Sequence, residues 1–281
     1  EIAQCLVGSE MCIRDSGYSV LNHVGDWVDS GRFPHRSHWN VYIAYFAGIF
    51  IDCPSCLGME IVNNTDRVTR GDRELWDELL QVVIPKGRNI WAFADDDSEK
   101  LNEVGRSFEF FVLPENNEAN VKKAMKDGNF FAASKYYKTT DGVGDFDGDG
   151  NVPLVTDIKV DQKANTITVA TDPTRDCRVI EWIADGKVIA TGNTIDLNDY
   201  EKDLGCYIRF QMKGSGGVTY SQPFELQYKG RIDKPVPSWA LWFFKTEAGQ
   251  KFMKFYHSHS FALGAFIAEK IRILIEDNIK K

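Results

Sequence analysis

Basic residues are the minority in this chain: 33 Lys and Arg stand against 41 Asp and Glu, for a formal net charge of −8. The basic footprint that phosphate backbones require is missing, which excludes general nucleic-acid binding. Cysteine is scarce, six in 281 residues, too few for a disulfide scaffold. Long apolar runs are missing too. The two longest candidates, 41–51 and 261–275, are short or broken by charge, so no segment reads as a membrane span. The chain does have 43% hydrophobic and 26% charged residues, the balance of a globular protein rather than a disordered or coiled-coil one. Its 281 residues suffice for one large domain or two ordinary ones.

The first residues read differently from the rest. Residues 6–16, Leu-Val-Gly-Ser-Glu-Met-Cys-Ile-Arg-Asp-Ser, resemble the translation of a transposase sequencing adapter. They lack the basic start and cleavage pattern of a signal peptide. On this reading 1–16 is an unstructured artefact, Cys5 and Cys12 leave the count, and native sequence before Gly17 is missing. The native thiols are then Cys53, Cys56, Cys177 and Cys206, and the compartment stays open.

From Gly17 to Lys138, strand and helix patterns alternate. Strands are predicted at 18–21, 57–62, 89–94, 108–113 and 130–132. Helices are predicted at 73–84, where Leu75, Leu79, Leu80 and Val83 share a face before Pro85, and at 117–126, with Gly128 as C-cap. Alternation of this kind indicates an α/β unit with a largely parallel sheet. The stretch 139–153, rich in Gly and Asp, reads as a linker. Short strand patterns then recur at 156–160, 166–171, 179–184, 194–197, 206–212 and 224–228, as in an antiparallel, Ig-like β-sandwich over 154–230. A tail over 231–281 carries helical patterns at 239–256 and 261–279.

Candidate chemistry lies at predicted strand ends. Leu21-Asn-His23 ends the first strand, where α/β sheets usually bind ligands. Glu60 and Asn63 end the second. Asp95-Asp96-Asp97-Ser98 ends the third, and adjacent carboxylates repel unless a cation or strong donors gather them.

In order and spacing these pieces resemble the polymerase and histidinol phosphatase (PHP) family, specifically the C-terminal part of its barrel. The resemblance is carried by Val20-Leu-Asn-His23, Gly58-Met-Glu-Ile-Val-Asn63, Trp76-Asp-Glu-Leu-Leu80, Asn89-Ile-Trp-Ala-Phe-Ala-Asp-Asp-Asp-Ser98 and the helix, Gly turn and strand of 121–134. It covers about Gly17 to Ser134. The sandwich, ending Tyr220-Ser-Gln-Pro-Phe224, looks like a module appended to some bacterial members. The family implies a distorted (β/α)7 barrel with two or three zinc, manganese or iron ions at the strand ends, which activate water and neutralise a phosphoester. By the resemblance His23 and Asp97 are metal ligands and Glu60 lines the site. Asn63, Asp96, His35 and His38 are candidates for phosphate contact or site lining.

The chain also departs from the family. Val24 replaces the usual Pro, Glu99 occupies the slot of the Asp-x-His histidine, and the opening His-x-His is absent. Glu99 can still bind a hard cation, with a changed metal preference. The leading expectation is a fragment of a phosphoesterase acting on a small-molecule phosphoester, itself close to inactive. The alternative is a degenerate, non-catalytic PHP-like protein whose sandwich binds a sugar or protein. Four further features are weaker. Asp145, Asp147 and Asp149 have calcium-loop spacing, but Thr156 stands where an EF-hand needs Glu. Cys53 and Cys56 have redox or zinc spacing without a second pair, and Cys177 could pair with Cys206 across the sandwich. His257-Ser-His259 mimics the missing His-x-His away from any strand end.

Overall fold

The computed structural model describes residues 17–24, 39–65, 70–138, 145–231, 233–234, 236 and 238–258. The adapter reading at 6–16, His35, His38, His259 and the helix predicted at 261–279 lie outside the described residues, as do the side chains of Asp145 and His257.

Three parallel strands form the first layer, β1 (Ser19–Leu21), β2 (Cys56–Asn63) and β3 (Trp91–Asp95), in the order β1-β2-β3. Helix α1 (Trp39–Asp52) precedes β2, and α2 (Arg70–Val83) crosses from β2 to β3. No amphipathic pattern marks α1 in the sequence, and its burial explains why: every residue from Val41 to Phe50 is buried. A helix that is apolar all round needs cover on every side. Strand β2 and α2 supply part of it. The rest comes from α4 (Ser238–Lys245) and α5 (Glu247–Ser258), through Phe244 on Tyr45 (ring centroids 5.9 Å apart), Tyr256 on Tyr42 (5.8 Å) and a Lys245–Asp52 ion pair at 2.7 Å. The region predicted as a tail is therefore part of the first core. The helix predicted over 239–256 is two helices, because Thr246 caps α5, its hydroxyl accepting from Gly249 N–H at 3.1 Å.

The remaining strands are antiparallel. Strands β4 (Ser107–Phe111) and β5 (Phe130–Ser134) flank α3 (Glu118–Asp127), and β6 (Tyr136–Lys138) pairs with β7 (Asp145–Asp147). Next come β8 (Val155–Asp161), β9 (Thr166–Thr171), β10 (Val179–Ala184), β11 (Lys187–Thr191) and β12 (Thr194–Asp196). The series ends with β13 (Tyr207–Gly214), β14 (Gly217–Tyr220) and β15 (Phe224–Glu225). One seven-stranded sheet runs β11-β10-β13-β14-β5-β4, with β15 also on β13, and a three-stranded sheet runs β12-β9-β8. The two pack face to face over Ile167, Val169, Trp182, Ile195, Phe210 and Met212.

Strands β4 and β5, placed by the sequence with the parallel unit, instead continue the large antiparallel sheet: Thr219 of β14 faces Ala133 of β5. The 139–153 stretch does not hold two sheets apart either. Gly148 N–H donates to Lys135 O at 2.7 Å and Gly150 N–H to Gly216 O at 3.0 Å. A Cβ on Gly216 would sit 2.0 Å from Asn151 O, so only glycine allows this approach. Cys177 and Cys206 are both free, and Cys206 Sγ contacts Leu80 O of α2 at 3.6 Å rather than a second thiol. Cys53 and Cys56 are free as well.

The result is a mixed α/β protein with several sheets, and no closed barrel is formed by the described residues. The outer edge of β3, where a barrel would continue, is met by side chains of the antiparallel sheet region. Ala92 N–H donates to Gln222 Oε1 at 2.8 Å and Gln222 Nε2 donates to Ala92 O at 2.9 Å, so one amide side chain imitates a neighbouring strand. Ala94 N–H donates to Glu109 Oε1 at 2.8 Å. No helix among the described residues is long and apolar enough to cross a membrane.

Strand β13 alternates. Ile208, Phe210 and Met212 enter the sandwich core, while Tyr207 and Arg209 turn to α2. There Arg209 Nε and Nη2 donate to Asp77 Oδ1 and Oδ2, each at 2.7 Å, and Tyr207 O–H donates to Oδ1 at 2.7 Å. Removing one partner strands a buried charge. Asp77→Ala is expected to lower unfolding free energy by about 3–5 kcal/mol in urea melts. Gln222→Leu is expected to cost about 1–3 kcal/mol for each orphaned group of Ala92.

Candidate functional site

The carboxyl ends of β1, β2 and β3 open on one rim, as parallel register requires. The backbone turns sharply there: His23, Asn64 and Asp97 hold left-handed φ values of 35°, 51° and 48°. Such conformations are rare outside Gly and most tolerated by Asn, Asp and His.

Glu60 is the buried centre of the rim. Its Oε2 accepts from the His23 backbone N–H at 2.6 Å and its Oε1 from Asn63 Nδ2 at 2.9 Å. Burial pushes its proton affinity up to about pKa 8; repulsion from Asp95 and Asp97 adds to the rise, and the two hydrogen bonds oppose it. Asp95 is raised as well, by burial first and then by Asp96 and Asp97. Glu60, Asp95 and Asp97 thus form one acidic group. His23 belongs to it through its backbone, while its side chain is exposed.

Other predicted residues have structural roles. Asp96 accepts from three backbone N–H groups, Gly105 at 2.8 Å, Arg106 at 2.6 Å and Ser107 at 2.8 Å, and so closes the loop between β3 and β4. Glu99 is exposed, and its N–H donates to Glu103 Oε2 at 2.9 Å. Away from the rim, Asp149 Oδ1 caps Asn151 N–H at 2.8 Å, and Asp147 stands 3.7 Å from Lys135 Nζ.

Three residues at or beside the rim were missed by the sequence reading. Asp95 was seen only as one of an acidic run. Glu109, on β4, meets the β3 edge and is pushed up to about pKa 7, chiefly by burial. Its signal was an acidic residue at the centre of Ser-Phe-Glu-Phe-Phe, an aromatic strand. Arg106 donates from Nη1 to Asn64 Oδ1 at 2.7 Å, and no sequence signal marked it.

The metal implied by the resemblance can be tested against these residues. Among the described residues, no group of three or more His, Cys, Asp and Glu is disposed to hold a metal ion. Glu60 and Asp95, both raised chiefly by burial, are oxygen donors of the kind a hard cation takes, with Asp97 exposed beside them. They are too few for a two-ion centre.

No protein-family model, curated protein or solved structure matches the chain. The raised carboxyls have a measurable consequence. A carboxyl whose folded pKa lies above its unfolded value binds more protons when folded. Its stabilisation is full below the ordinary carboxylate range and is lost as pH rises through the folded pKa. Unfolding free energy is therefore expected to fall from about pH 5 to about pH 9 through Glu60 and Glu109. Glu60→Gln should flatten that fall, as read from chemical melts across the range.

Proposed function

We propose that the rim formed by β1–β3 serves metal-dependent phosphoester hydrolysis, and that these strands correspond to part of a PHP-type barrel. The observation that carries this reading is the grouping of Glu60, inside β2, with Asp95 at the end of the adjacent parallel β3 and Asp97 just beyond it, the latter two raising the proton affinity of Glu60. Asp97, exposed at the rim, and Asp95 are the first ligands of a divalent ion, with Glu60 behind them. Such an ion, when bound, supplies Lewis acidity toward a phosphoryl oxygen. The chain's own residues orient and balance charge. Glu60 fixes the turn at His23, Asn63 holds Glu60, and Arg106, hydrogen-bonded to Asn64, neutralises phosphoryl charge.

A second reading, a non-catalytic PHP-like protein with the sandwich as a binding module, is favoured by one specific observation. Both Glu60 oxygens are already engaged by His23 and Asn63, which leaves few open ligand positions.

Manganese calorimetry and turnover of para-nitrophenyl phosphate and its diester separate the two. The hydrolytic reading expects about one weakly held manganese per chain and slow turnover, both reduced about tenfold or more by Asp97→Ala. Neither binding nor turnover, with the fold intact, would decide for the second reading.

A further inference from the structure

A second site lies apart from the acidic rim, between α2 and the antiparallel sheet. A cleft of about 310 Å³ opens there, with Arg209 in its lining. Arg209 is only 3% exposed. Its Nε and Nη2 are held by Asp77, but Nη1, fully buried, has no partner among the described residues. A buried guanidinium N–H without an acceptor is costly, and native structures rarely leave one so.

A group of opposite polarity lines the same cleft. Asp185 is a lining residue, and its buried Oδ1 has no hydrogen-bond partner among the described residues. Asp185 sits in a left-handed turn, φ 47°, and the next residue secures that turn: Gly186 N–H donates to Tyr207 Oη at 3.2 Å. Tyr207 in turn donates to Asp77, so one hydrogen-bond chain fixes the Asp185 turn to the Asp77–Arg209 pair.

The cleft's charge is divided between its walls. The sheet wall carries Lys187, Arg209 and Lys213; the α2 wall carries Glu74, Asp77 and Glu78. Arg73 sets one positive charge on the α2 wall and Asp185, in the turn between β10 and β11, one negative charge on the sheet wall; the walls keep opposite net signs and the lining sums to zero. Some of these charges are already paired, Lys213 with Glu181 at 2.9 Å and Glu78 with Lys234. A simple anion entering this space meets the α2 carboxylates, and a simple amine meets the lysines. A molecule carrying both charges answers both walls.

We propose that this cleft binds a small zwitterion of the α-amino acid type, its carboxylate on the wall that carries Arg209, Lys187 and Lys213, its ammonium toward Asp185 and the α2 carboxylates. The site is independent of the hydrolytic reading of the rim.

Calorimetry on the full chain tests it, with glycine, L-alanine and L-glutamate as probes against acetate, methylamine and inorganic phosphate. At least one amino acid is expected to bind with unit stoichiometry, about tenfold or more tighter than acetate or methylamine. Asp185→Asn keeps a residue that tolerates the left-handed turn, and Lys187→Ala removes an exposed side chain. Each should weaken binding about tenfold, with circular dichroism and melts reporting an intact fold. Phosphate or acetate binding as tightly as the amino acids would overturn the zwitterion assignment. Binding untouched by both substitutions would overturn the cleft as its location, and absence of binding up to about 10 mM would overturn the proposal as a whole.

Discussion

The buried pair of Asp77 and Arg209 joins the two layers of this protein. It bridges α2 and β13, with the Trp76 ring 4.9 Å from the guanidinium. Two parallel hydrogen bonds and a third from Tyr207 offset the desolvation of both charges. The geometry is demanding. It fixes α2 along the sheet, and α2 carries β2 and β3 with it through the crossover. With α2 so placed, Gln222 and Glu109 reach the open edge of β3 and satisfy its backbone. A parallel sheet of three strands would otherwise end in unpaired N–H and C=O groups.

Carboxylates at the rim also act as fasteners. Glu60 ties the exit of β1 to β2, Asp96 ties the loop after β3 to the start of β4, and Glu109 ties β4 to β3. Each replaces a backbone partner that irregular chain cannot supply. The same burial that makes them good fasteners raises the proton affinity of Glu60 and Glu109. An acidic rim of this kind has a structural function before it has a chemical one. Any cation there competes with the hydrogen bonds that shape the turn at His23.

Individual elements show how much was legible in advance. β9 and β10 have the bounds their alternation indicates, because each buries one face against the sandwich core. α2 was recognised from its apolar stripe and Pro85, although its start at Arg70 was placed late. α1 carried no periodicity to read, since every residue from Val41 to Phe50 is buried. β11 and β14 were passed over. The first is short and mostly exposed, and the second begins at Gly217, inside a run that reads as a turn. Of the candidate site residues, Asp97 follows the end of β3 as read, whereas Glu60, read as ending its strand, lies inside β2, three residues before its end. Asp96 was taken for a phosphate-contacting or site-lining residue and proves to be a loop clamp, because adjacent carboxylates in sequence do not reveal which of them meets backbone amides.

Local chemistry sets what the sequence could determine by itself: strand alternation, helical stripes, the Gly128 C-cap and the carboxylates at strand ends. All of these depend on neighbours within a few residues. Pairing across distance could not be read this way. The polar face of β13, Tyr207 and Arg209, looks like a solvent face in sequence, yet α2 covers it. β4 and β5 have the same local pattern whether they close a parallel unit or extend an antiparallel sheet, and only β14 beside β5 decides between them. Sequence fixes which side chains share a face; what that face meets is set by contacts between residues more than a hundred positions apart, as Asp77 and Arg209 are.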